Sequence, residues 1–183
     1  MRVISGKYKS RKIKTLKGDN TRPTADKIKG AIFSSIAFDV KPHKMLDLFS
    51  GSGAMGIEAL SRGFSYVYFN DIDKKAVNII KANLKELELL KQSRVYNLDY
   101  KDVIKHVSKE AKIDFIFIDP PYDKIDIEDI LACINKYEIV ADQGILCIET
   151  ASHTVLLDTY DNLIKYKEKK YKATTIAYFR KGE

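Results

Sequence analysis

Residues 46–60 read LDLFSGSGAMGIEAL. An apolar run enters a glycine-rich turn, and a segment with apolar residues at helical spacing leaves it, closed by Gly63. That is a strand, a turn and a helix. Gly51, Ser52, Gly53, Ala54, Met55 and Gly56 satisfy the G-x-G-x-x-G pattern, and Asp71 stands 20 residues after Gly51 at the end of the next β-rich run, YVYFND. Glycines there let a backbone approach a ligand, the helix N-terminus offers unpaired N–H groups, and the acidic residue can take both ribose hydroxyls. The pattern fits a nicotinamide cofactor and any other adenosine ligand equally. Asp73 is the alternative ribose ligand, with Asp71 favoured because it sits where the strand should end.

Outward from that stretch the chain alternates strand-like and helix-like segments. KKAVNIIKANLKEL, YKDVIKHVSKE and IEDILACINKY have helical periodicity, while SRVYNLD, DFIFID and GILCIET read as strands. The alternation predicts an α/β Rossmann-like fold: a mostly parallel seven-stranded sheet covered by helices on both faces. Two late β-rich stretches, around Tyr166–Tyr171 and Thr174–Arg180, have no helix between them and predict an antiparallel pair at one edge.

Residues 1–43 lack this rhythm. RVISGKYKSRKIKTL suggests a small two- or three-stranded ribbon, and TRPTADKIKGAIFSSI a helix capped by Thr21 or Thr24, with Ile28, Ala31, Ile32, Ser35 and Ile36 at helical intervals. The expected division is an N-terminal extension over 1–43 and a larger domain over 44–183, with the boundary near DVKPHK, residues 39–44.

Charge marks the same division. The net charge is +7 over 183 residues, yet residues 1–30 alone carry ten basic and two acidic side chains. The excess belongs to the extension. Arg2, Lys7, Lys9, Arg11, Lys12 and Arg22, interleaved with Tyr8, suit RNA better than a membrane surface. A second basic cluster, KYKEKKYK, begins at Lys165. No apolar run is long enough for a membrane span, and MRVISGKYKSRK lacks the apolar core of a signal peptide, so a cytoplasmic protein is expected. Cys133 and Cys147 match no metal-binding pattern and read as core residues; no metal is expected.

Four carboxylates, Asp47, Asp71, Asp99 and Asp119, fall at or near the carboxyl ends of the first four strands, the edge where open α/β sheets bind ligands. Asp47 lies inside its strand and needs donors, from loop amides or a cationic ligand. Asp99 is placed to accept an adenine amino proton. Asp119 begins Asp119-Pro120-Pro121-Tyr122. Two prolines fix φ and remove two N–H donors, holding a carboxylate and free carbonyls in one shape. That acceptor array suits the exocyclic amine of a base, and Tyr122 supplies a face for stacking.

These motifs together resemble the S-adenosylmethionine-dependent methyltransferases that modify exocyclic amines. RVISGKYKSRKIKTL, TRPTADKIKGAIFSSI and LDLFSGSGAMGIEALSRG narrow the resemblance to the RsmD family, which methylates N2 of a guanine in small-subunit ribosomal RNA. The chain departs from that pattern at Gly30, where the family usually has Glu. The resemblance implies cofactor contacts at Asp47, Phe49, Ser50, Gly51, Ser52, Gly53, Asp71, Ile72, Asp99 and Tyr100, and amine-gripping catalytic residues at Asp119, Pro120, Pro121 and Tyr122. It adds Thr24 to the basic residues that would meet RNA. The implied partner is ribosomal RNA, within a small-subunit particle, bound by a monomer. An adenine-N6 methyltransferase, a nicotinamide-dependent oxidoreductase and a non-catalytic RNA-binding protein are the competing readings.

Overall fold

A computed structural model describes residues 1–16, 23–121 and 125–182, with side chains in the first helix described from Asp26. That helix, α1 (Pro23–Ile36), turns Ile28, Ile32, Phe33 and Ile36 inward. The main domain then runs β1 (Lys44–Asp47), α2 (Ala54–Ser61), β2 (Tyr66–Asn70), α3 (Lys74–Glu86), β3 (Ser93–Tyr96), α4 (Tyr100–Ser108), β4 (Ile113–Ile118), α5 (Ile127–Lys136) and β5 (Val140–Ala151). β6 (Thr159–Tyr160), β7 (Leu163–Lys170) and β8 (Thr174–Lys181) complete it.

One sheet results, in the order β3-β2-β1-β4-β5-β8-β7-β6. The first five strands are parallel and the last three antiparallel. The expected Rossmann-like architecture is present, with eight strands where seven were expected. The extra one is the two-residue β6, too short to leave a periodic signature. β7 carries most of the second basic cluster as an exposed face paired to β8.

Residues alternate between two cores across the sheet. Met45, Phe115, Phe117 and Cys147 face α1 and α2, while Leu46, Ile116, Ile118 and Ile148 face α4 and α5. Burial on both faces explains the near-continuous apolar strands. Both cysteines are free and buried, as their apolar context suggested.

The first sixteen residues differ from the expected ribbon. Their only ladder is an isolated antiparallel bridge, Arg2 to Lys12. The reason is where the backbone groups go: Ile4 and Ser5 donate to the Glu58 carboxylate at 2.7 and 3.0 Å, Tyr8 donates to Ser61 Oγ at 2.9 Å, and Lys14 donates to Asn83 Oδ1 at 2.9 Å. Val3 donates to Arg11 O and Ile13 to Met1 O, both at 3.0 Å, so a minimal pairing remains, and partners on α2 and α3 take the donors a longer ribbon would pair. Val3 and Ile13 join the same apolar cluster as α1 and the sheet.

Candidate active site

The sheet order reverses between β1 and β4, and the crevice beyond their carboxyl ends is the ligand position of open α/β folds. The turn after β1 is fixed by reciprocal bonds. Ser50 donates its amide to Asn70 O at 2.8 Å and its hydroxyl to Asp47 O at 2.7 Å, and receives the Asn70 amide at 3.0 Å. Gly51 adopts φ +53, with no atom within 4 Å of the position a Cβ would take, and its amide donates to Asp71 Oδ2 at 2.8 Å. Gly56 serves close packing: a Cβ there would lie 2.2 Å from the Phe69 ring. The first and last glycines of the pattern thus have separate physical causes.

Asp47 is buried beneath the turn and accepts from the Gly56 amide at 3.0 Å. That bond ties it to the first turn of α2. Burial, opposed by that amide and reinforced by Asp119 and Asp71, pushes its carboxyl up to about 7.

A pocket of about 280 Å³ lies over this frame, lined by Phe49, Gly51, Asp71, Ile72, Asp99, Tyr100, Asp119 and Pro121, joined by Asn70, Leu98 and Ile125. Asp99 caps α4, with Oδ1 accepting from the Lys101 amide at 2.9 Å. Asp73 instead caps α3 and does not line the pocket, while Asp71 does. Ser50, Ser52 and Gly53 are buried in the turn rather than on the pocket wall. Glycine-loop amides, an acidic residue after β2 and another after β3 form a donor and acceptor set that fits an adenosine-containing cofactor.

Asp119 follows β4 at the rim of that pocket, and burial pushes its carboxyl up to about 6. Pro121 lines both this pocket and a neighbouring cavity of about 480 Å³, which Pro120, Glu149, Thr150 and His153 also line. The Asp-Pro-Pro turn is therefore the partition between two cavities. Tyr122, Arg22 and the side chain of Thr24 lie outside the described residues. Arg2, Lys7, Lys9, Arg11 and Lys12 are exposed on the N-terminal segment. Met1 reaches a small cavity of about 100 Å³ shared with Lys29, Met55, Phe117 and Glu149. Gly30, the departure noted above, leaves its Cβ position 3.8 Å from Ile4.

Sequence reasoning did not single out Asn70, Glu58, Asn83 or Lys29. Asn70 donates to Leu48 O at 3.3 Å and Leu98 O at 3.1 Å and accepts from the Leu98 amide at 3.2 Å, tying the turns after β1 and β3 together. Asn83 donates to both Lys14 O and Ser52 O at 3.0 Å. Glu58, fully buried, accepts from Arg62 Nε at 2.7 Å and lies 3.6 Å from Lys29 Nζ. Burial holds the Lys29 ammonium below its ordinary value despite Glu58 and Asp26. The available signal was a polar residue on an apolar helical face, as at Glu58 and Asn83.

The fold and this crevice define a methyltransferase of the Rossmann-like class, and comparison with known proteins agrees. The family model described as Conserved hypothetical protein 95 matches residues 1–180, and the chain belongs to that family, the RsmD family. "Putative rRNA methyltransferase YlbH" of Bacillus subtilis is 40% identical over 182 residues, covering 99% of each chain. "Ribosomal RNA small subunit methyltransferase D" of Haemophilus influenzae is 31% identical over 170 residues, 92% of this chain and 88% of that one. The solved structure "Putative methyltransferase yhhF from Escherichia coli" superposes with a TM-score of 0.87 at 25% identity, over 100% of this chain and 98% of the other.

Proposed function

We propose that this protein transfers a methyl group from S-adenosylmethionine to the exocyclic N2 amine of a guanine in small-subunit ribosomal RNA. The observation that carries the proposal is the Asp119-Pro120-Pro121 turn, which stands between the adenosine-fitting pocket and the larger cavity. The Haemophilus influenzae relative bears the name of the small-subunit enzyme.

In this reading Asp71 holds the ribose hydroxyls, Asp99 the adenine amine, and the turn from Phe49 to Gly53 shapes the rest. When bound, S-adenosylmethionine supplies an electrophilic methyl group on a sulfonium sulfur. The protein's task is to make a poor nucleophile attack. A guanine N2 lone pair is delocalised into the ring, and hydrogen bonds from the amine to the Asp119 carboxylate and the Pro120 carbonyl localise and aim it. Once methylated the nitrogen is cationic and strongly acidic, and the Asp119 carboxylate that held the amine can take its proton. Tyr122 stacks on the base. The exposed basic residues of the N-terminal segment hold the phosphates, offsetting the few kcal/mol, roughly, of bringing a base out of its stack.

The test is mass mapping of ribosomal RNA from cells lacking the protein, with the purified protein and S-adenosylmethionine restoring the missing methyl group in vitro. Loss and restoration of one N2-methylguanine is the expected result. Intact methylation of every small-subunit guanine in the deletion strain defeats the proposal.

A further inference from the structure

Beside the Asp-Pro-Pro turn stands a carboxyl group that gripping the amine does not use. Phe117 pairs with Cys147, and Ile118 with Ile148, in the β4–β5 register. Asp119 and Glu149 are the next positions on these adjacent parallel strands, whose backbones run about 4.8 Å apart. Because Phe117 and Cys147 face the α1 side, the period of two places both carboxylates on that same side. Glu149 makes no hydrogen bond or ion pair among the described residues, and burial together with Asp119 pushes its carboxyl up to about 8.

A second carboxyl group next to Asp119 is electrostatically unfavourable, so a structural role explains it poorly. Glu149 lines both the cavity that Pro120 and Pro121 wall and the small α1-side cavity shared with Met1 and Lys29. A carboxyl acceptor without a donor beside the Asp-Pro-Pro turn marks a place for a polar ligand.

We infer that Glu149 reads the target base, accepting the N1–H of guanine while Asp119 and the Pro120 carbonyl hold its N2 amine. This rests on the guanine-N2 reading above. The chemistry is selective. Guanine presents N1–H and N2–H₂ as adjacent donors, and two neighbouring acceptors match that edge. The ionised carboxylate is acceptor-only and would meet the N1 lone pair of a purine lacking N1–H, whereas the protonated form, favoured below about 8, could donate to it, so discrimination is strongest at alkaline pH.

The experiment compares two target RNAs in single-turnover methylation below RNA saturation, one with guanine at the modified position and one with 2-aminopurine, which keeps the N2 amine and lacks N1–H. At about pH 9, Glu149→Leu should slow guanine methylation on the order of 10–100-fold and leave the 2-aminopurine reaction unchanged or faster, because guanine loses a hydrogen bond while 2-aminopurine loses a repulsion. Glu149→Gln, which retains one acceptor, should fall between. Binding of S-adenosylhomocysteine reports that each variant is folded. Equal losses on both RNAs in both variants overturn the base-reading role while leaving the methyltransferase reading intact. Failure of the wild-type protein to methylate the guanine RNA overturns that reading itself.

Discussion

The amide of Gly51 and the carboxylate of Asp71, twenty residues apart in the chain, are joined by a 2.8 Å hydrogen bond. Asp71 Oδ1 meanwhile accepts from the Asp73 amide at 2.8 Å. The proposed ribose ligand is therefore also the strut of the glycine turn. Asp71→Ala removes both functions, and S-adenosylhomocysteine affinity should fall more than about tenfold, corresponding to 1.5–3 kcal/mol for charge-assisted hydrogen bonds. Titration calorimetry measures this directly; unchanged affinity would take the ribose away from Asp71.

Asp119→Asn keeps both prolines and exchanges a charged acceptor for an amide that can turn an N–H toward the substrate amine. Cofactor binding should stay near wild type while methyl transfer drops by about 10²–10³, as for other preorganised polar contacts. The pH profile supplies an independent reading. The carboxyl is pushed up to about 6, and the ionised form grips better, so the wild-type single-turnover rate should rise with pH through that region. A wild-type profile flat from pH 5 to 7, the window about that value, would remove the carboxylate from the rate-determining step.

Asp47 predicts the opposite trend for stability. Its folded carboxyl is raised to about 7, so the native state binds more protons than the unfolded chain above the ordinary carboxylate range. The contribution is fully present at low pH and is lost as pH rises through about 7. Asp47→Asn, which keeps an acceptor for the Gly56 amide, should flatten the fall in stability between about pH 4 and 7 in urea denaturation of the cofactor-free protein. An unaltered slope would show that Asp47 titrates normally.

Glu58→Gln tests the buried hub beneath the N-terminal segment. It leaves the Lys29 ammonium buried beside a neutral amide and weakens the acceptors for Ile4 and Ser5. Breaking one side of a buried ion pair costs about 3–5 kcal/mol, which a shift in the urea midpoint would register. A shift of a few tenths of a kcal/mol, roughly the effect of an ordinary surface substitution, would mean that Lys29 is neutral or hydrated in the native protein.

Replacing Arg2, Lys7, Lys9, Arg11 and Lys12 by Ala should leave cofactor affinity intact and weaken RNA binding. These side chains are exposed, and each lost phosphate contact should reduce the slope of log affinity against log salt by roughly 0.7–0.9. Filter binding across a salt series measures it, and an unaltered slope would assign the RNA contacts elsewhere, with the basic face of β7 as the next place to look.

The glycine turn, the strand-end carboxylates and the alternation of elements were legible because each has a local cause: a φ value, a period, a turn that excludes N–H groups. Asn70 and Asn83 were not legible, since their significance lies in backbone groups 28 and 69 residues away. Glu58 gave a local hint, a charge on an apolar helix face, but its partners Ile4 and Ser5 belong to the segment whose strand pairing was overestimated. A ribbon was expected there because alternation suggests strands; long-range acceptors on α2 and α3 took the backbone donors instead. Glu149 passed unnoticed inside GILCIET, where only the β4–β5 register shows that it stands beside Asp119.

The stitching of the N-terminal segment to Glu58, Ser61 and Asn83 has a consequence for encounter with RNA. A basic tail that orders only upon contact gives up roughly 1–2 kcal/mol of backbone entropy per residue at that moment. Here the backbone from Val3 to Lys14 is already anchored at both ends before any RNA arrives. If its charges meet RNA as proposed, the segment would act as a ruler, setting their spacing from the crevice in the free protein. RNA whose phosphates match that spacing would then bind by fit, and RNA of equal charge but different shape would gain less.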